Sequence, residues 1–240
     1  MTTIRVSIAA CISILIGSHT IVFAQPEKAW KSIFDGKSLK GWTIVDSPAN
    51  VIIADSSFVI HMTANTNRHV FIRSNERYKD FILELDCKRD TAFDSGILFR
   101  GIKSADTAKV GLYGYMVKID PSTTRLWTGG VFLDFGGTWI EWLHPLADNP
   151  RAQKAERVGQ WNRFRIEAIG NHIKVSINGI PTTNMTNSRY VEGYIALKIH
   201  YLKNPAWNEQ MSASFKNIRI INSKAAAYAR EMDIPVKDVK

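Results

Sequence analysis

Short segments in which apolar and polar residues alternate recur from Trp42 to Ile221. Examples are SFVIHM (57–62), HVFIR (69–73), FILELDCK (81–88), SGILFR (95–100), YGYMVKI (113–119), RFRIEAI (163–169), HIKVSI (172–177), YIALKIH (194–200) and SFKNIRI (214–220). Successive side chains of a strand point to opposite faces, so a two-residue period marks a half-buried strand. Gly170-Asn171 joins two of these segments and Asn178-Gly179 begins another turn. Asn and Gly accept the positive φ of the tight turns that match strand twist. About ten strands at this spacing predict an all-β sandwich or barrel. Helical composition is confined to LADNPRAQKAERVG (146–159) and the Ala-rich NSKAAAYAREM (222–232). With no repeat, linker or low-complexity segment, the chain reads as one domain over 28–222 and a partly helical tail over 223–240.

The first 24 residues stand outside that domain. Arg5 supplies a positive start, VSIAACISILIG an apolar core, and VFA precedes Gln25. This is the pattern of a secretory signal peptide cut after Ala24. Gly17, Ser18, His19 and Thr20 break the apolar run, leaving it too short to span a bilayer well. IAAC at 8–11 resembles a lipoprotein cleavage box, but the apolar run before Cys11 is very short. The expectation is a secreted or periplasmic protein with no stable membrane insertion after cleavage. Cys11 leaves with the signal, so Cys87 has no intrachain partner. Cys87 is in phase with Phe81, Leu83 and Leu85 and reads as a buried small hydrophobe. The formal charge of +9 is spread along the chain without a run of five like charges. That pattern and the export signal argue against nucleic acid as a partner.

In 113–120, Tyr113, Tyr115, Val117 and Ile119 take the core face, so Gly114, Met116, Lys118 and Asp120 share the other. In 194–201, Ile195, Leu197, Ile199 and Tyr201 oppose Tyr194, Ala196, Lys198 and His200. In 96–101, Ile97 and Phe99 oppose Gly96, Leu98 and Arg100. Arg100, Lys118, Asp120, Lys198 and His200 therefore make a polar set on one side of a sheet. Half-buried sheets normally have one polar face; convergent polar groups beside aromatics are what turn such a face into a ligand site. Trp127, Trp139 and Trp142 flank a Gly-rich loop, TGGVFLDFGGTW (128–139), and indoles on loops can stack on sugars. Trp139 and Trp142 read as groove-rim residues and Trp161 as core. Asp120, Asp134 and Glu141 are the carboxylates nearest that groove. No HExxH, GxSxG, P-loop or GxGxxG motif occurs. His61, His69, His144, His172 and His200 show no metal-ligand spacing. No cofactor or metal is expected from the residues, although they leave a divalent ion open.

SIFDGKSLKGW (32–42), DSGILFRG (94–101), GYMVKIDPS (114–122), RLWTGG (125–130), GQWNRFRIEAIGNHIKVSINGIP (159–181), GYIALKIH (193–200) and FKNIRI (215–220) form an ordered series over nearly the whole mature chain. The series resembles the 3-keto-disaccharide hydrolase family, formerly a domain of unknown function, and most of all its exported Bacteroidetes-type subgroup. The resemblance implies a concanavalin A-like, laminin G-like jelly-roll sandwich. It also implies cleavage of glycosides oxidised to a ketone at C3. That ketone acidifies the C2 proton; a base removes it, the enolate expels the C1 substituent, and water adds afterwards.

Asp120, Arg125, Trp127, Asp134, His200 and Arg100 fit the family pattern. Met116 and Lys118 stand where the pattern has Gln and Glu, Lys198 stands where it has Gln, and FLDFGGTW lacks two arginines. On this resemblance His200 or Asp120 is the expected proton acceptor. Lys118, Lys198 and Arg100 would stabilise the enolate or position a carbohydrate substrate. Met116, Arg125, Trp127, Asp134 and Trp139 complete the expected binding set. The changed positions keep a second reading alive, a non-catalytic glycan-binding module or pseudoenzyme. A structural cell-envelope protein is a third.

Overall fold

A computed structural model describes residues 27–45, 50–61, 69–103, 111–136, 139–199 and 211–240. In chain order its strands begin with β1 (Lys31–Ser32), β2 (Trp42–Val45), β3 (Asn50–Ala54), β4 (Ser57–His61) and β5 (Val70–Tyr78). They continue with β6 (Phe81–Arg89), β7 (Ser95–Lys103), β8 (Leu112–Ile119), β9 (Val131–Phe135) and β10 (Ile140–His144). After one helical turn, α1 (Pro150–Gln153), come β11 (Asn162–Ile169), β12 (His172–Ile177), β13 (Ile180–Thr186), β14 (Gly193–Ile199), β15 (Ser212–Ile221) and β16 (Lys237–Asp238). One sheet runs β16-β13-β12-β11-β6-β15-β4-β3, with β1 also on β15; the other runs β10-β9-β8-β7-β14-β5-β2. The two pack as a jelly-roll β-sandwich.

The alternation read from the sequence sets what lies between the sheets. Phe81, Leu83, Leu85 and Cys87 of β6, Tyr115, Val117 and Ile119 of β8, and Ile195, Leu197 and Ile199 of β14 share one buried core. Each fully buried aliphatic or aromatic side chain of this kind contributes about 1.5–3 kcal/mol, so the core needs no disulfide. Cys87 is a free, buried thiol whose ionisation burial pushes up. Both tight turns are where Asn and Gly placed them: Asn178 and Gly179 take φ of 53° and 80°, and Ile169 pairs directly with His172 across Gly170-Asn171.

One expectation is corrected and two are narrowed. The stretch 128–139 holds a strand, β9, whose alternation is masked by flanking glycines. The segment 146–159 yields only the single turn α1, because Pro150 starts a helix that nothing propagates. The tail forms one 3-10 turn over Ala225–Tyr228 and is otherwise an extended strap. That strap lies on the outer face of the nine-stranded sheet. Lys174, Asn184 and Asn187 donate to the carbonyls of Arg230, Ile234 and Val239, and β16 pairs with β13. Tertiary hydrogen bonds thus hold the chain extended beyond Tyr228, where the helical turn ends.

Candidate functional site

The seven-stranded sheet carries a second buried cluster on the face turned away from the sandwich core. Phe71, Leu98, Leu112, Met116, Phe132 and Ala196 form it, with Val45, Trp142 and Tyr194 at its margin. Each cluster residue is out of phase with its strand's core residues. Lys118 and Lys198 lie on the same face, in register on either side of Gly96. A Cβ on Gly96 would stand 2.4 Å from the Met116 sulfur, so the missing side chain is what lets the thioether lie there.

Burying an ammonium costs several kcal/mol unless it is paired. Both lysines are paired. Lys118 donates to Asp94, the residue just before β7, and Lys198 donates to Asp134 of β9. Lys198 and Asp134 are fully buried, whereas the Asp94 side chain keeps 18% of its surface. Burial pushes the Asp94 carboxyl up, and the pull of Lys118 and then of Lys198 does not offset it. Burial likewise pulls the Lys198 ammonium down, against Asp134. The result is a cluster of two carboxylates and two ammonium groups, with Asp94 as the member that reaches water.

Asp120 closes β8 and aims into a turn. Its carboxylate accepts Arg125 Nε and Nη2 at 2.8 and 2.7 Å and the Trp127 and Ser122 amides at 3.0 and 3.2 Å. Burial would raise this carboxyl, but Arg125 and the two amides outweigh it and hold it below the usual range. Arg125 in turn lies over the rings of Trp127 and Trp142, at 5.2 and 5.8 Å. Those indoles meet edge to face at 4.9 Å, and Trp142 touches Phe132 of the apolar floor at 5.1 Å. The Arg125 side chain is 40% exposed. This rim is anchored through the sandwich: Arg89 of β6 donates to the Asp120 carbonyl at 2.8 Å and forms a buried ion pair with Glu156. Thr128 links Glu156 to the Asp120 amide.

The structure therefore brings Met116, Lys118, Lys198 and Asp134 onto one face and sets Asp120, Arg125 and Trp127 at its end. One expectation of role is corrected here. Asp120 has both oxygens taken, so it positions Arg125 and is unsuited to accepting a proton. Lys118 and Lys198 are both paired ammonium groups. Arg100 is elsewhere. It sits at a bulge with φ of 50°, and its buried guanidinium donates to the Lys79 and Tyr190 carbonyls. Gly193 makes the bulge possible, since a Cβ there would meet the Arg100 carbonyl carbon at 2.4 Å. Trp139 is 59% exposed and rests on Phe135 at 4.8 Å, apart from the paired indoles. His200 lies outside the described residues. Asp94 was missed by sequence reasoning; its position heading DSGILFRG was the available signal. Among the described residues no group of three or more His, Cys, Asp or Glu side chains is placed to hold a metal, and no helix is long and apolar enough to cross a membrane.

The carboxylates predict acid sensitivity. Glu84, Asp86 and Asp120 are each held below their ordinary values of 4.5, 3.8 and 3.8 by arginines that outweigh burial. Their contribution is fully present above those values and is lost as pH falls through the lower folded ones. Asp94 works in the opposite sense. Hydrogen bonds from Ser38 and Arg151 hold the surface carboxyls of Asp35 and Asp233 low as well; with five against one, stability measured by urea unfolding should fall on acidification below about pH 4. A midpoint that holds steady from pH 6 to pH 3 would contradict this.

Comparison with known proteins agrees with this architecture. A candidate glycosyl hydrolase from Parabacteroides distasonis superposes with a TM-score of 0.59 at 14% identity, over 83% of this chain and 98% of that one. The kappa-carrageenase from Pseudoalteromonas carrageenovora, solved with an oligotetrasaccharide of kappa-carrageenan, gives 0.54 at 8%, over 85% and 98%. The carbohydrate binding module CBM66 from Bacillus subtilis gives 0.50 at 18%, over 75% and 94%. At these identities the likeness is one of fold. No curated protein sequence matches the chain. The sequence model of one domain family, however, matches residues 29–221, which takes in every strand but β16, the Asp94–Lys118 pair and the Arg125 rim. The chain is a member of the 3-keto-alpha-glucoside-1,2-lyase-like domain family.

Proposed function

We propose that this protein cleaves 3-keto-glycosides at the outer face of the seven-stranded sheet. The observation that carries this is Asp94, a carboxyl raised by burial and reaching solvent beside two ammonium groups. A general base works best when its pKa approaches the working pH. In the proposed reaction Asp94 takes the C2 proton and the electron pair moves onto the C3 oxygen as an enolate. The ammonium of Lys118 stabilises that charge. The enolate then re-forms the ketone, C1–C2 becomes a double bond, and the C1–oxygen bond breaks. The leaving oxygen takes a proton, which we assign to His200, directly after β14 in sequence. Water added across C1–C2 completes a hydrolysis. Arg125 and the paired indoles hold the sugar.

The test is release of the aglycone from a chromogenic 3-keto-glucoside by purified residues 25–240, assayed as isolated, after chelation and with added divalent metal. Release should rise with pH through a limb lying above the ordinary carboxyl value of 3.8, because only the ionised Asp94 accepts a proton. No release from folded protein under any of these conditions would refute the proposal. Arg125→Ala should raise KM roughly tenfold to a hundredfold, the loss of one charge-assisted hydrogen bond, with little change in kcat.

One observation favours a second reading. Both lysines are neutralised inside the molecule, as suits a site that binds a sugar without transforming it. Binding of the 3-keto-glucoside by calorimetry without turnover would select that reading. We also propose export, on the strength of the leader before Gln25. Mass spectrometry of the protein from its producing cell should find Gln25 as the first residue.

A further inference from the structure

The strap formed by the tail covers only part of the nine-stranded sheet's outer face. Tyr228, Arg230 and Ile234 lie over β11, β12 and β13. The part toward β3 and β4 instead carries a cleft of about 320 Å³ lined by Trp161, Lys88, Lys216, Ser214, Asp55 and Asp90, among others. The pairing register explains it. Ser214 of β15 stands between Lys88 of β6 and Val59 of β4, and Trp161 precedes β11 beside Lys88. Trp161 reads as core in the sequence, but it is 38% exposed. The next residue takes the inward position: Asn162 is buried, accepts the Arg157 and Asn178 nitrogens at 2.8 Å, and donates to Arg157 and Gln160.

The charges around this indole are unevenly satisfied. The Lys216 ammonium sits 3.9 Å from the Trp161 ring centroid, and its charge also acts on Asp86, its partner across β15 and β6. Lys88 is exposed. Of the carboxylates on hand, Asp86 is bound to Arg163 and Asn217, Asp90 accepts from the Ser212 amide and hydroxyl, and Asp55 stands exposed at the cleft. An indole, a serine hydroxyl and two ammonium groups, set beside Asp55 and Asp90, suit a pyranose that brings its negative charge to the lysines. The ring packs on the indole, the hydroxyls bond to Ser214, and the anion meets Lys88 and Lys216.

We infer that this cleft is a second saccharide site, specific for sugar units bearing a carboxylate or sulfate. It is separate from the Asp94–Arg125 site, which lies on the other sheet. The test is calorimetric titration of the full mature chain with tetragalacturonate, a sulfated galactan tetrasaccharide, and a neutral galacto-oligosaccharide of equal length. At least one acidic probe should bind ten times or more tighter than the neutral one and weaken with salt; which of the two prevails separates carboxylate from sulfate recognition. Trp161→Ala should weaken acidic binding at least tenfold, and Lys88→Gln with Lys216→Gln should abolish the preference for charge. Arg125→Ala should leave acidic binding unchanged. Equal binding of the neutral probe, no binding of either acidic probe, retention in Trp161→Ala, or loss in Arg125→Ala would each overturn the inference. Lys88 is exposed and Lys216 half-buried, and Gln keeps much of each aliphatic stem, so their variant keeps the test valid even if Trp161→Ala fails to fold.

Discussion

Asp134→Ala is expected to destabilise the folded protein by about 3–5 kcal/mol, the cost of stranding one member of a buried ion pair. Lys198 and Asp134 are both without solvent exposure, and the ammonium has apolar company on its own face: Phe71, whose ring centroid is 5.7 Å away, and the Leu98, Met116 and Ala196 side chains. With Asp134 gone, the ammonium must lose its proton or draw water into that cluster. For a domain of this size the cost converts to a fall in Tm of about 6–20 °C. Replacing both partners should behave differently. Lys198→Met with Asp134→Leu removes both charges and leaves apolar groups among apolar neighbours. It should recover most of the loss, because the attraction within a buried pair does little more than repay its desolvation. Urea or thermal unfolding of the two variants and the parent decides the matter. A single variant within 1 kcal/mol of the parent would mean that this pair is not buried as described.

Asp94→Asn should lower kcat for 3-keto-glucoside cleavage by about 10²–10⁴, the usual worth of a positioned general base, and should erase the acid limb of the pH profile. Asn has nearly the shape of Asp and keeps an oxygen that can accept from Lys118. The fold should therefore persist, with a Tm near that of the parent. Asp120→Asn provides the contrast. Asp120 does not meet the reacting carbon in this reading; it orients Arg125 through two hydrogen bonds. Its loss should act mainly on KM and should leave the limb in place. If Asp94→Asn retained full kcat while Asp120→Asn lost it, the roles assigned to the two carboxylates would have to be exchanged.

The departures from the resembled family pattern look different once the fold is in view. Met116 does not project polar chemistry. It fills the space that Gly96 leaves and joins the apolar floor. A lysine at 118, where the pattern has a carboxylate, is accommodated because Asp94 lies against it. Each of the two ammonium groups on this face thus has a carboxylate within the same face.

Much of this was already legible in the residues. Alternation in 81–88, 113–119 and 194–200 is a local property of the chain, and it settles which side chains share a face, since a strand can present only two. Asn178-Gly179 settles a turn for an equally local reason. The sandwich architecture, the solitary buried Cys87, and the placing of Met116, Lys118 and Lys198 opposite the core all follow from that short-range order. What the period cannot say is which strand lies alongside, or how far across a face a side chain reaches. Lys118 and Asp94 are 24 positions apart and Lys198 and Asp134 are 64 apart; nothing local joins them. Arg100 shares the parity of Leu98, yet the bulge at φ of 50° turns it toward Lys79, and Trp161 is turned outward by the demand of Asn162 for buried partners. The sequence by itself determined the faces, because side-chain direction along a strand is local. Only the tertiary structure decided which charges neutralise one another and which remain open to a ligand, because burial and pairing depend on strands brought together from distant parts of the chain.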